Sequence, residues 1–125
     1  MRETSTARIT LTDSGILVIR VRKGAHQAPA DALDNLAAAA AEAIGQRRPL
    51  LVDITGSPPL SAETRHLYSG KALDSGFLAL ALLIEGSPLG RMMGNVYLRV
   101  ARPGIPLQLF TNEASALEWL RGYLT

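Results

Sequence analysis

Apolar and polar positions along this chain switch between two periods, and the switching predicts the elements. Alternation by twos marks strands at Arg8 to Thr12 and Ile16 to Arg22, separated by Asp13-Ser14-Gly15. The glycine of that turn supplies the positive φ that a tight hairpin needs, so the two strands are expected to pair antiparallel. In the second strand Ile19 and Val21 alternate with Arg20 and Arg22, which gives its end one wet face. Lys23 to Ala28 reads as a polar loop. From Pro29, suited to a first helical turn, Leu33, Leu36, Ala37, Ala40 and Ile44 recur at helical spacing until Gly45 offers a stop. The small side chains of Ala37 to Ala41 would let this helix lie close to a neighbour.

The most informative stretch is Leu50 to Thr64, LLVDITGSPPLSAET: a short apolar strand (Leu50 to Thr55) holding one acid, a Gly/Ser/Pro turn, and a helix start capped by Ser61. That helix is expected to bury Leu60, Leu67 and Tyr68 and to end near Gly70 or Gly76. Phe77 to Glu85 repeats the strand-then-turn form, with Phe77, Ala79, Ala81 and Leu83 on one face and Leu78, Leu80, Leu82 and Ile84 on the other. Apolar on both faces, it belongs at the centre of a sheet. Ser87-Pro88 then opens a third helix with Leu89, Met92, Met93, Val96, Tyr97 and Val100 inward. A fifth strand, Ile105 to Phe110, carries Pro106 and so belongs at an edge. Thr111 or Asn112 caps a last helix that buries Leu117, Leu120, Leu124 and either Trp119 or Tyr123. Strand followed by helix, four times over, predicts an α/β fold: four consecutive right-handed strand-helix units with an added antiparallel N-terminal strand.

Composition narrows the function classes. The 125 residues suit a single domain, 1–125, and contain no cysteine, which removes disulfides, thiolate metal sites and thiol nucleophiles together. The longest apolar run, Phe77 to Ile84, is far short of the ~20 residues of a membrane-spanning helix, so no integral membrane segment is expected. In Met1-Arg2-Glu3-Thr4-Ser5-Thr6 no secretory or mitochondrial address is visible, and a cytoplasmic location is the expectation. A net charge of +2 is a weak field for polyphosphate, and no nucleic-acid role is read from it.

Few residues invite chemistry. Asp53 sits at the carboxyl end of a strand, where α/β proteins often place function, and it is equally suited to accept hydrogen bonds from the turn that follows. His66, near Glu63, Arg65 and Tyr68, lacks a nucleophile at useful spacing, and His26 is too distant in sequence to pair with it, so no metal site and no other cofactor is expected. Gly86-Ser87-Pro88-Leu89-Gly90-Arg91 offers free backbone N–H groups at a helix start with an arginine one turn in. That is either an anion cradle or an ordinary Ser-capped turn, and it matches neither a Walker loop nor G-x-G-x-x-G.

In element order the chain resembles the SpoIIAA-like fold, which includes STAS domains of anti-sigma-factor antagonists and, more distantly, CRAL-TRIO lipid-transfer domains. The resemblance rests on the L-L-V-D-I-T-G strand, on a G-S-P-x-x-R-x-x-G-N segment (Gly86 to Asn95) and on a late L-F-T-x-E-x-x-A-L-x-W-L segment (Leu109 to Leu120). It implies a small bacterial regulatory or protein-interaction module that acts by binding, not as an enzyme. In the antagonists a D-L-S-G-V-x-x-I-D-S-S-G motif carries a phosphorylated Ser at the next helix start. Set on that motif, Asp53-Ile54-Thr55-Gly56 matches D-L-S-G, while Ser61 stands where the family has Asp, and Ala62 and Glu63 where it has the two Ser. A phospho-switch would therefore use Ser61 or Ser57. The resemblance places the partner or switch region at Asp53, Gly56, Ser57, Ser61 and Arg65.

Two further expectations come from the residues. One is a carrier or sensor role for a small apolar or lipid-like ligand, at Met93 with the turn Gly86, Ser87, Gly90 and Arg91. The other is a homodimer: crossovers stepping one way would stack their helices on one side of the sheet and leave the opposite side for a second copy, with Gly90 and Gly94 allowing close approach.

Overall fold

A computed structural model describes residues 1–58, 60–67, 76–86 and 104–124. The elements are β1 (Arg2–Glu3), β2 (Ala7–Leu11), β3 (Leu17–Val21), α1 (Pro29–Glu42), β4 (Arg48–Asp53), α2 (Ala62–Leu67), β5 (Phe77–Leu83), β6 (Leu107–Phe110) and α3 (Glu113–Arg121). The strands form one mixed sheet in the order β1-β2-β3-β4-β5-β6. The first three pair antiparallel, and β3 through β6 pair parallel. The hairpin at Gly15 is present with φ +101°, and β6 takes the edge position that Pro106 implied. β1 has no hydrophobic signature and is set on the sheet by its pairing, Arg2 with Ile9 and Glu3 with Arg8.

The core has two halves, one on each face of the sheet. On the first face Ile9, Leu17, Ile19, Leu50, Val52, Leu80 and Leu82 meet Ala32, Leu36 and Ala39 of α1, with Leu60 from the turn before α2 and Leu67 from its end. On the second, Ile16, Val18, Leu51, Ala79, Ala81 and Leu83 meet Ala116 and Leu120 of α3. Full burial of each leucine, isoleucine or valine contributes roughly 1.5–3 kcal/mol, so both faces matter to stability. The second face is covered from within the chain, by α3. The ground for expecting a second copy to cover it is therefore absent, and Gly90 and Gly94, the other ground, lie outside the described residues, as does the expected third helix.

Two predicted faces are corrected. Phe77 packs on the α1 side with Leu80 and Leu82, not with Ala79 and Ala81, because a register shift between Arg48 and Leu50 turns the strand by one position. In α1 the buried line is Ala32, Asn35, Leu36, Ala39 and, just past its end, Ala43, while Leu33 is 47% and Ile44 72% exposed. Helical spacing of apolar residues predicts Leu33, Ala37, Ala40 and Ile44 on the stripe of Leu36. The helix instead turns its alanines to the sheet for close approach and buries Asn35, whose amide finds polar partners there.

Helix α1 ends in two successive left-handed residues, Ile44 at φ +54° and Gly45 at φ +72°. For a β-branched residue that conformation is strained, by roughly 1–2 kcal/mol, and Ile44 recovers little by burial. Ile44→Gly is expected to stabilise the fold by about 1 kcal/mol. Urea denaturation checks this, and an unchanged or lowered midpoint would show that no strain is released there.

Candidate functional site

Strands β3, β4 and β5 run parallel, so their carboxyl ends, and the turns that leave them, gather at one edge of the sheet. The register sets Arg20 of β3 beside Asp53 of β4. Both project on the face that carries Val18 and Leu51, toward the first turn of α3. Arg20 Nη1 donates to Asp53 Oδ2 at 2.5 Å and to Glu113 Oε1 at 2.7 Å, tying two strands to α3. The other Asp53 oxygen accepts from the Thr55 backbone N–H at 2.9 Å and the Thr55 hydroxyl at 2.6 Å. Those bonds turn the chain out of the sheet, which is why β4 stops at Asp53 and not at Thr55. The hydrogen bond to Glu113, ahead of the opposing effect of burial and the charge of Asp53, raises the Arg20 pKa above its ordinary value. A raised folded value stabilises below the unfolded one and is lost only as pH rises past it, so this cation persists at every working pH.

Beyond Asp53 the turn is held from two sides. Gly56, at φ +75°, donates its N–H to Glu85 Oε1 at 2.9 Å, and its carbonyl accepts from Gly24 N–H at 2.9 Å. A Cβ at Gly56 would come within 3.1 Å of Lys23 Cγ, so the turn and the loop after β3 are in close contact. Ser57 donates its N–H to the Ile54 carbonyl and is half-buried. Ser61 is exposed and caps α2, accepting from Thr64 N–H at 3.2 Å. Arg65 falls within α2.

The expected partner region thus divides. Asp53 serves the α3 face as an ion-pair and turn acceptor, with its side chain 7% exposed. Gly56, Ser57 and Ser61 form the turn and helix cap over the α1 side. Of the anion and apolar-ligand region, Gly86 is described, at the exit of β5, where an added Cβ would lie 3.9 Å from Thr111 Cβ. Ser87, Gly90, Arg91 and Met93 lie outside the described residues. His26 and His66 are both exposed, and among the described residues no group of three or more His, Cys, Asp or Glu is placed to hold a metal ion. No helix among them is long and apolar enough to cross a membrane.

A family model described as a domain of unknown function, DUF7793, matches residues 9–124. The chain belongs to this family. A crystal structure of a protein with unknown function from Arthrobacter sp. FB24 is similar at 25% identity over 96% of each chain, with a TM-score of 0.36. No curated protein matches.

In this DUF7793 member several residues of the site had no local signal. Glu85 and Glu113 read as polar residues beside turns, and Arg20 as the wet side of a strand. Their partners are 29 and 93 residues away for the Glu85–Gly56 and Arg20–Glu113 contacts, distances at which spacing carries no information. Gln27, Asn35 and Thr64 were equally silent: each is a buried polar residue that periodicity assigns to a surface. The one usable hint was Asn35 beside Leu36, inside a stripe otherwise made of alanines.

Proposed function

We propose that this domain is a regulatory or protein-interaction module of the kind found in anti-sigma-factor antagonists, working in the cytoplasm by binding without turnover. Its partner reads the β4–α2 junction from Gly56 to Arg65. The carrying observation is that the turn of this junction is anchored while two of its serines face outward. Asp53, Glu85 and Gly24 fix the turn, yet Ser57 is half-exposed and Ser61 exposed. A surface held in one conformation before contact gives up little entropy when a partner docks. The unbroken order of the parallel strands β3 to β6 supports reading the arrangement as SpoIIAA-like.

The same junction suits a phosphate. The Lys23 stem lies against Gly56, next to Ser57, and Lys23 makes no ion pair among the described residues, so its charge is available to a new dianion. Intact-mass measurement after incubation with cell extract and ATP is expected to show one added phosphate, at Ser61 or Ser57. A Ser57→Ala, Ser61→Ala double variant should lose it. Phosphate only on other residues, or none at all, would remove the analogy with the antagonists.

A further inference from the structure

We propose that the Ser61 hydroxyl is the surface end of a buried polar relay that couples the β4–α2 junction to the docking of the N-terminal strand. The relay begins at α2. Thr64, fully buried, donates its single hydroxyl hydrogen to the Gln27 carbonyl at 3.1 Å. In the 3.0 Å contact between the Ser61 and Thr64 hydroxyls the Thr64 oxygen must then accept, so the Ser61 proton points inward. Gln27, 8% exposed, continues the path through its side chain, where Oε1 accepts from Asn35 Nδ2 at 2.9 Å.

Asn35 is fully buried and has every amide group in use. Its second N–H donates to Thr6 Oγ1 at 3.0 Å, and its carbonyl accepts from Thr4 Oγ1 at 2.5 Å. The Thr4 oxygen in turn accepts from the backbone N–H of Ala7 at 3.1 Å, which shapes the turn between β1 and β2. One connected path therefore runs from an exposed helix cap, through two fully buried side chains, to the first strand.

The far end of that path is the least secured part of the sheet. β1 is two residues long, and beyond its short ladder with β2 its side-chain ties lie largely at the surface: the Met1 amino group and Arg2 to Glu42, Arg8 and Arg22 to Glu3, and Arg22 Nη1 to the Thr4 carbonyl at 2.7 Å. Ion pairs of that kind hold weakly in water, so the Thr4–Asn35 bond, made to a fully buried amide, adds a tie to the docked strand that solvent weakens least. Because the interior members are buried, loosening one bond leaves its partner group shielded from solvent, where an unmade bond is costly. Engagement of Ser61 by an acceptor on a partner, or loss of its proton, would withdraw the first bond and bias β1 toward release. By reciprocity, release of β1 would alter the cap of α2. The regulatory use of this relay rests on the junction being the partner's site; the coupling itself does not.

Hydrogen exchange read by mass spectrometry on the isolated full chain tests the coupling without partner or kinase, so its outcome is separate from that of the phosphate experiment. Thr64→Val, nearly the same shape, is expected to speed exchange of the amides of residues 4–7 roughly tenfold while β5 amides stay protected. Thr64→Ser, which keeps the hydroxyl, should restore wild-type exchange there. Should Thr64→Val fail to fold, Thr4→Val at the other end is expected to speed exchange across residues 61–67. Faster exchange confined to the mutated end, or raised equally in β5, would overturn the relay.

Discussion

Leu120→Ala is expected to lower stability by about 3 kcal/mol, a large share of the roughly 5–15 kcal/mol that holds a domain of this size together. Leu120 is fully buried, and with Ala116 it seats α3 on Val18, Leu51, Ala79 and Ala81, so the cavity left by truncation cannot refill from solvent-side groups. Ala79 and Ala81 pack in the same cluster as Ala116 and Leu120 of the helix, so larger side chains there would push it from the sheet. The matched control is Leu33→Ala on the outer side of α1, expected to cost less than about 1 kcal/mol because that side chain is already half in water. Urea denaturation of both variants gives the comparison. If Leu33→Ala proved the costlier change, α1 would be turned the other way and the description of both faces would be wrong.

Asp53→Ala is expected to cost about 2–3 kcal/mol, since it strands Thr55 N–H and removes one of the two anions that hold Arg20. The figure stays below that of a fully buried pair because Arg20 is 47% exposed and keeps Glu113. Asp53→Asn retains an acceptor for Thr55 and should lose about half as much. Equilibrium denaturation measures the stability, and hydrogen exchange at residues 54–57 locates the effect. A loss as large for Asn as for Ala would assign the role of Asp53 to its charge alone. No measurable loss in either would show that the turn is held by Glu85 and Gly24 without it.

Much of the chain was legible in advance where the signal is local. Ser61 and Asn112 cap the helices they were expected to cap, Pro29 opens α1, and Gly15 turns the hairpin. Caps and turns are settled within three or four residues, by a side-chain oxygen meeting a nearby N–H or by a backbone angle that one residue type adopts most easily. The parallel strands were legible for a related reason: a short apolar run bounded by turn residues reads the same whatever lies around it.

The facing of elements was less legible. The spacing that marked α1 as a helix did not say which stripe would be inside, and the bulky residues Leu33 and Ile44 pointed to the wrong one. A helix rich in alanine offers almost equal burial over a wide arc, so its rotation is decided by what it meets, here the partners of Asn35. Phe77 was misplaced for a similar reason, since a register shift depends on the neighbouring strand.

Propensity and periodicity within a few residues suffice for β2 to β6, for α1 and α3, for their caps, and for the interior place of β5 between two parallel neighbours. Contacts across the fold settle the rest: α3 closes the second face, Arg20 meets Asp53 and, 93 residues away, Glu113, and Asn35, Gln27 and Thr64 come together in the interior. Each of those is a long-range pairing of groups that look like surface residues one at a time. Burying them is favourable only when all the partners arrive together.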